Sequence, residues 1–352
     1  MEIPSPSAAT RRAIVVSGLP GIGPAKLHEM KSALAAARDD QDAAEIARPY
    51  ASKEAAADKG MYQANWALAQ RAADFAIREC GLVRARVLSV LDVDAFPACM
   101  IGIPEAPFFL SYRGADEIVL RGGLLDRWNG VAVIGTRDVT SEGADNAKWL
   151  VGVLARERPE TVIVSGLAIG VDVIGHRSAL ANGLRTVAFT ATDLRSTNPW
   201  AHRDDAADIV QSGGALVTEY LPDEQDTRFG FAGRLVARDR LQSAASRAVV
   251  AVQCGVQSGT MHAMRAAALQ NRAMYAMRFK KPELSPGSEA LIAGTAVAGK
   301  DKHAQPVGKS ALPLTSRADA SALAALLGTY PKGGVSTKKS PLDEPTSQQT
   351  IF

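Results

Sequence analysis

The chain has 352 residues, enough for one large domain with appended modules, because single hydrophobic cores stop growing near ~250 to 300 residues. Lysine and arginine number 40 against 37 aspartates and glutamates, and the net charge of +3 is too small to indicate nucleic-acid binding by bulk charge. The three cysteines lie far apart without metal-ligand spacing, which fits reduced thiols rather than a disulfide framework. No apolar stretch approaches the ~18 residues of a membrane span and the start lacks signal-peptide order, so we expect a cytoplasmic protein without membrane contact.

The first part of the chain, residues 1–90, predicts a small helical module. Alanines and charged residues recur there with helical spacing, in 25–37 and again in 61–80. A connector rich in proline and aromatic residues follows at 96–114, and its prolines favour an extended path.

Within this module, residues 19–27 match the turn of a helix-hairpin-helix. In such a turn Gly21 and Gly23 let backbone amides approach a DNA phosphate, and Lys26 adds a positive charge. A glycine-proline turn between two packed helices also needs no ligand at all. Both interpretations stay open from the sequence.

Beyond the connector, short apolar runs alternate with amphipathic stretches, which predicts an α/β domain over 91–298 with a parallel sheet and helices on both faces. The predicted strands are 131–134, 161–164, 186–190, 215–218, 248–252 and 273–277. From 299 to 352 the composition shifts to lysine, serine, proline and glycine, which predicts a flexible tail with one short helix at 316–327.

Three glycine-bearing loops each follow a predicted strand and open a predicted helix: 135–137, 165–170 and 258–260. A loop leaving the carboxyl end of a parallel strand points backbone N–H groups at anything anionic there. In the first loop, Arg137 can form bidentate bonds to phosphate. In the second, the glycines permit close approach and Ser165 offers a hydroxyl, although tight strand-to-helix packing also demands glycine.

Two arginines that follow an aromatic stretch, Arg238 and Arg240, are two residues apart. In an extended segment they would face the same side and straddle a phosphate chain, with Phe229 or Phe231 stacking on a base. The alternative is ion pairing with Asp239 or another carboxylate. The predicted phosphate- or DNA-binding residues are therefore Gly135, Thr136, Arg137, Ser165, Gly166, Leu167, Gly170, Arg238, Arg240, Ser258, Gly259 and Thr260.

Three further polar residues admit other interpretations. Asp172 and His176 stand four apart, but an N-cap for Asp172 and a hydrogen-bonded core position for His176 are favoured over an acid/base or metal pair. Glu219 is expected either to hold a ribose hydroxyl or to neutralise an internal arginine. We predict no catalytic residue, no metal and no cofactor.

Eight motifs occur in the order of one known protein family. They are 131–137 (VAVIGTR), 141–143 (SEG), 164–172 (VSGLAIGVD) with His176, 214–220 (GALVTEY), 238–240 (RDR), Ser246, 258–260 (SGT) and 285–292 (SPGSEALI). Together they resemble the DprA/Smf family over roughly residues 96–298. The resemblance implies an extended Rossmann-like fold that binds single-stranded DNA in a basic pocket, forms homodimers and helps load the RecA recombinase during uptake of foreign DNA. It implies no catalytic reaction.

Several positions depart from the family pattern and indicate a diverged member. Asp239 replaces the usual asparagine between the two arginines, and its carboxylate would repel a phosphate unless paired with one of them. Ile169 stands where arginine or lysine is common, and Glu289 precedes Ala290 where an asparagine is usual. The tyrosine-proline expected near 198–199 is missing, and patterned sequence for a winged helix is lacking beyond 298.

Two other functions fit parts of the pattern. A regulatory or antitoxin subunit of a phage-defence or toxin-antitoxin pair, sensing DNA or a nucleotide beside an effector protein, would suit a diverged member. A nucleotide phosphoribohydrolase of the lysine-decarboxylase-like group would share the fold. That group has a glutamate after its Gly-Thr loop, where this chain has Met261 and His262.

Overall fold

The computed structural model describes residues 3–223 and 230–328, and it confirms the predicted α/β class. A nine-stranded sheet runs in the order β1-β2-β6-β5-β4-β3-β7-β8-β11, and β9 and β10 form a separate two-stranded ribbon. The strands of the described residues are β1 (Arg86–Ser89), β2 (Phe109–Gly114), β3 (Gly130–Ile134), β4 (Val162–Ser165), β5 (Arg185–Phe189), β6 (Ala215–Thr218), β7 (Ala248–Ala251), β8 (Ala273–Met277), β9 (Val297–Ala298), β10 (Gln305–Pro306) and β11 (Leu312–Leu314).

Helices surround the sheet and fill the amino-terminal module. The α-helices of the described residues are α1 (Ala8–Ser17), α2 (Pro24–Glu29), α3 (Lys31–Ala36), α4 (Asp40–Ala47), α5 (Lys59–Leu82), α6 (Asp116–Val119), α7 (Ser141–Glu157), α8 (Val171–Ala181), α9 (Arg203–Gln211), α10 (Phe231–Ala244), α11 (Thr260–Leu269), α12 (Pro286–Ala293) and α13 (Arg317–Ala325). None of these is both long and apolar enough to cross a membrane.

The centre of the sheet is parallel and buried on both faces. Strand β3 alternates between two hydrophobic layers: Ala132 and Ile134 pack into one core cluster, and Val131 and Val133 pack into the other. Successive side chains of a strand point to opposite faces, so a continuous apolar run predicts burial on both sides. All six strands predicted from such runs are present, with boundaries shifted by at most one residue.

The sequence did not reveal the antiparallel edge of the sheet. Strand β2, inside the predicted extended connector, pairs antiparallel with β1 on one side and with β6 on the other. Strand β1 lies within residues 1–90, and the buried residues of α1 belong to the same core cluster as those of β2. The amino-terminal helices therefore share a hydrophobic core with the α/β region. The three-module division stays a proposal.

One prediction about the tail was wrong for its described part. Residues 312–314 form β11, which pairs in parallel with β8 and extends the main sheet. After it, α13 buries Ala320, Leu323 and Ala324 against the layer that contains α7. The helix at 316–327 was predicted, but it docks because its alanine and leucine face continues the core. Residues 329–352 of the predicted tail lie outside the described part of the chain.

The strand order reverses at β3, which has β4 on one side and β7 on the other. At such a point the loops that follow the two adjacent strands lead to helices on opposite faces of the sheet. A crevice therefore forms outside the carboxyl ends of the strands. The three glycine-bearing loops follow β4, β3 and β7. The fold therefore brings all three loops to one crevice.

Candidate nucleic-acid interface

A cavity of about 440 Å³ opens at this crevice, between the loops and the helices α10 and α11. Its wall includes Gly135, Thr136, Arg137, Ala168, Asp172, Arg238, Asp239, Gln242, Ser258, Gly259, Thr260 and His262. Seven of the twelve predicted binding residues therefore line one cavity. Gly166 instead lines a smaller neighbouring cavity of about 130 Å³ that shares Arg137 and Arg238.

The first loop, after β3, combines a packing glycine with an exposed arginine. A Cβ on Gly135 would lie 2.6 Å from Val171 Cγ2, so only glycine fits beside α8. The Thr136 amide donates to the carbonyl of Gln253 at 2.8 Å and is thus engaged within the protein. Arg137 is exposed, and within residues 3–223 and 230–328 its guanidinium has no ion pair. In this loop the arginine side chain, unlike the Thr136 amide, is thus engaged in no ion pair or hydrogen bond within the described residues.

The second loop, after β4, already holds an anion of the protein itself. The carboxylate of Asp172 accepts from the Ala168 amide at 3.3 Å and lies 3.7 Å from Nη2 of Arg238. Burial raises the pKa of Asp172, and the charge of Arg238 together with the hydrogen bond from the Ala168 amide opposes that rise. The cradle was predicted for a phosphate. Its nearest amide donors instead face a buried carboxylate.

Other residues of this loop also act within the fold. The hydroxyl of Ser165 is buried and donates to the Val133 carbonyl at 2.7 Å, so the prediction that it serves as a donor to a ligand was wrong. Leu167 has a φ of 61° and a buried side chain. Its carbonyl oxygen accepts a hydrogen bond from His202 Nδ1 at 2.8 Å. Asp172 is not the N-cap of α8, because Gly170 occupies that position.

The two glycines of the second loop are explained by packing. A Cβ on Gly166 would overlap the guanidinium of Arg238. Gly170 has a φ of 88°, a conformation that favours glycine, and a Cβ there would meet Cα of Arg137 at 2.7 Å. The first and second loops therefore touch because Gly170 lacks a side chain, whereas Gly166 makes room for Arg238.

The third loop, after β7, is open to a ligand. The Ser258 hydroxyl oxygen is buried and has no hydrogen-bond partner within the described residues. Gly259 is the N-cap of α11 and Thr260 its first residue, and no side chain caps this helix. The amino end of a helix carries partial positive charge, and in α11 the Met261 and His262 amides already donate to the Ser258 and Gly259 carbonyls at 3.1 and 3.0 Å. Arg137 and this helix terminus line the same cavity.

The geometry predicted for Arg238 and Arg240 was wrong, because both lie in the helix α10 and not in an extended segment. Residues two apart on a helix do not share a face. Arg238 is buried, donates to the Phe189 carbonyl at 3.1 Å and lies 3.3 Å from Oδ1 of Asp239. Phe231 lines the smaller cavity, whereas Phe229 lies outside the described residues.

Arg240 faces away from the cavity and is neutralised by Glu219. Its Nη1 and Nη2 donate to the two carboxylate oxygens of Glu219 at 2.7 and 2.6 Å, and its Nε donates to the Glu105 carbonyl at 2.6 Å. This bidentate pair is the second of the two roles expected for Glu219. The alternative of ion pairing therefore holds for both Arg238 and Arg240.

Asp239 and Gln242 complete the cavity wall, and Gln242 was missed from the sequence. The Gln242 Nε2 donates to Oδ1 of Asp239 at 3.2 Å, and burial raises the pKa of Asp239 to about 7. The signal that could have identified Gln242 is its four-residue spacing from Arg238 on one helix. The cavity wall carries two arginines and two aspartates, so it lacks the excess of positive charge that the resemblance implied.

His176 occupies the core, as predicted. It is fully buried, its Nδ1 lies 2.6 Å from the Thr186 hydroxyl, and burial lowers its pKa to about 3. The imidazole is therefore neutral near pH 7. Among the described residues, no group of three or more histidine, cysteine, aspartate or glutamate side chains has the arrangement of a metal site.

The predicted hairpin turn lies between α1 and α2. Gly21 has a φ of 85°, and a Cβ there would lie 2.8 Å from the Ser52 amide nitrogen. The Lys26 ammonium donates to the carbonyls of Gly21 and Tyr50 at 2.8 and 2.7 Å. Gly23 is the N-cap of α2, and a Cβ there would meet nothing within 4 Å. Lysine and the first glycine thus stabilise the turn itself.

The doubly wound sheet, with its crevice at the reversal of strand order, defines a Rossmann-like fold, a class in which ligand sites lie outside the carboxyl ends of the strands. The family model for DNA recombination-mediator protein A matches residues 87–305. The chain therefore belongs to this family, the DprA/Smf family.

Curated relatives and a solved structure agree with this assignment. The chain is 31% identical over 189 residues to DNA processing protein DprA of Streptococcus pneumoniae, covering 54% of this chain and 61% of the relative. It is 32% identical over 160 residues to protein Smf of Escherichia coli, covering 45% of this chain and 40% of the relative. These matches span less than two thirds of either relative. The X-ray structure of the Streptococcus pneumoniae protein superimposes with a TM-score of 0.62 at 24% identity, covering 92% of this chain and 98% of that one, which shows a shared fold.

Proposed function

We propose that this protein binds single-stranded DNA at the carboxyl edge of its sheet and holds the strand without cutting it, in DNA processing or recombination. The observation that carries the proposal is the juxtaposition of Arg137, exposed and free of ion pairs within the described residues, with the uncapped amino end of α11 in one cavity. Membership of a family described as recombination mediators supports DNA as the source of the phosphate.

A phosphate fits between these two groups on chemical grounds. A guanidinium forms bidentate, charge-assisted hydrogen bonds with phosphate oxygens, and the partial positive charge of a helix amino terminus favours an anion. The unpartnered Ser258 hydroxyl supplies one more donor from the same loop. Arg238 supports the cavity from within but is already paired with Asp172 and Asp239. We therefore assign the main phosphate contact to Arg137.

Fluorescence anisotropy with a labelled single-stranded 12-mer, at two salt concentrations, tests the proposal. Arg137→Ala should lower the affinity by roughly ten- to a hundredfold and reduce the salt slope by about 1, because one charge-assisted phosphate contact is lost. Arg38→Ala removes an exposed arginine from the connection between α3 and α4 and is the control. Equal affinities of wild type and Arg137→Ala, or affinity that is insensitive to salt, would contradict the proposal.

Two further experiments address the partners. The family resemblance adds a homodimer and a RecA-type recombinase as partners, and both belong to this proposal. Sedimentation of the free protein measures the first, and co-sedimentation with RecA on single-stranded DNA measures the second.

A nucleotide-sensing regulatory subunit is the second candidate, and the balanced charge of the cavity favours it. Two arginines and two aspartates attract a long polyanion less than a basic groove would, while about 440 Å³ falls within the range of small-ligand sites. This candidate would be favoured if mononucleotides displaced the labelled 12-mer when both are present at the same concentration of phosphate groups. Release of base from a nucleoside monophosphate would instead indicate a phosphoribohydrolase.

A further inference from the structure

Asp239 and Gln242 form an acceptor pair in the wall of the cavity. The Gln242 amide nitrogen donates to Oδ1 of Asp239 at 3.2 Å, which fixes the orientation of the amide group. The Gln242 Oε1 then has no hydrogen-bond partner within the described residues, although the side chain is only 1% exposed. A buried acceptor without a donor costs free energy, so this pair suits a ligand that brings donors.

The second oxygen of Asp239 is the other acceptor. Its Oδ1 accepts from Gln242 and lies 3.3 Å from Nε of Arg238, so both of these contacts are made by Oδ1 and not by Oδ2. The carboxylate side chain is 14% exposed. Beside the unpartnered Gln242 Oε1, the wall thus offers the partly exposed carboxylate of Asp239 as a second acceptor group.

Among the four DNA bases at neutral pH, guanine alone presents two adjacent N–H donors on its Watson–Crick edge, at N1 and N2. Adenine and cytosine present one amino group beside an acceptor, and thymine presents one N–H between two acceptors. Bases drawn out of a stack into a protein pocket are read by hydrogen bonds to this edge. We propose that Asp239 and Gln242 read the base of the bound strand and select guanine.

The arrangement places base and phosphate in one cavity. Arg137 and the loop 258–260 line it together with Asp239 and Gln242, and its volume of about 440 Å³ accommodates one nucleotide. This inference rests on the proposed function, because it requires that the phosphate of the strand is held by Arg137. To the proposed function this inference adds the identity of the base that the cavity recognises.

The experiment compares four labelled 12-mers, (TTG)₄, (TTI)₄ with inosine, (TTA)₄ and T₁₂, by anisotropy at pH 8. Isolated guanines avoid four-stranded assemblies, and inosine retains the N1–H but lacks the N2 amino group. We expect wild type to bind (TTG)₄ about tenfold more tightly than (TTA)₄, with (TTI)₄ between them. Asp239→Asn, which is isosteric and offers one acceptor fewer, should bring the four affinities to within about twofold of each other.

The matched control is Asp138→Asn, which removes an exposed carboxylate next to Arg137 that does not line the cavity and should preserve the preference for guanine. Gln242→Leu, with its fold checked by circular dichroism, should also abolish the preference. Equal affinities of wild type for all four oligonucleotides overturn the inference and leave the proposed function intact. A preference for guanine that survives both Asp239→Asn and Gln242→Leu also overturns it. Failure to bind any of the four contradicts the proposed function as well.

Discussion

Two regions bring arginine to the same cavity, the loop after β3 and the helix α10, and they use it in opposite ways. Arg137 in the loop is exposed and has no ion pair within the described residues. Arg238 in α10 is buried between Asp172 and Asp239, and Arg240 holds Glu219 with two hydrogen bonds. An arginine that lies close to a glycine-bearing loop is therefore not always available to bind phosphate. Availability depends on which carboxylates the fold places beside it.

Loss of Arg238 should have the largest effect on stability. Arg238→Ala leaves the buried carboxylates of Asp172 and Asp239 without their cation, so the free energy of unfolding should fall by about 3–5 kcal/mol. Urea denaturation followed by circular dichroism measures the change. Arg137→Ala is the control and should change the free energy of unfolding by less than about 0.5 kcal/mol. If both variants unfold like wild type, the two regions do not differ as described.

Gly166 sharpens the comparison, because its lack of a side chain makes room for Arg238. Gly166→Ala should lower the free energy of unfolding by about 1–3 kcal/mol, since the new Cβ would overlap the guanidinium. In a double-mutant cycle with Arg238→Ala, the two losses should not add, because the clash disappears with the arginine. Additive losses would show that the glycine serves a different purpose.

The pH dependence of DNA binding tests how the charge of Asp239 on α10 affects the phosphate site at Arg137. Burial raises the pKa of Asp239 to about 7, so this carboxyl group is mostly neutral at pH 6 and ionised at pH 8. The groups around it are Arg238 on its own helix, Asp172 on α8, Arg137 on the loop after β3 and His262 on α11. Affinity for T₁₂ should therefore fall about fivefold from pH 6 to pH 8, because a negative charge appears beside the phosphate site.

Asp239→Asn should remove most of this pH dependence, measured by anisotropy at constant ionic strength. Asp138→Asn is the control and should retain it. A wild-type affinity that stays constant between pH 6 and pH 8 would mean that Asp239 keeps one protonation state over this range.

The hairpin turn of the amino-terminal module offers the smallest effect. Lys26 of this turn is already engaged within the protein, as Arg238 and Arg240 are, because its ammonium donates to two backbone carbonyls. Lys26→Ala should change the affinity for T₁₂ by less than about twofold and lower the free energy of unfolding by about 1 kcal/mol. A decrease of about 1 in the salt slope of binding would instead place a DNA phosphate at this turn.

Much of the parallel sheet could be predicted from the sequence, because continuous apolar runs such as 131–134 are buried on both faces wherever they lie in a doubly wound sheet. The antiparallel strands β1 and β2 could not, since the short segment 109–114 belongs to a proline-rich connector and its burial depends on pairing with β6. Likewise, β11 is a strand because β8 offers it a free edge. Its own three residues carry too little pattern to predict this.

For the candidate site, the sequence by itself determined the three loops, their place after buried strands, and Arg137 as the first candidate for a phosphate contact. Glycine spacing and strand periodicity are local properties, and they survive in any fold of this class. Only the tertiary structure decided that Asp172 fills the second loop, that Arg238 and Arg240 are neutralised, and that Gln242 joins Asp239 in the cavity wall. These pairings join residues far apart in the chain or on one face of a helix, and no local pattern records which charges the fold brings within hydrogen-bonding distance.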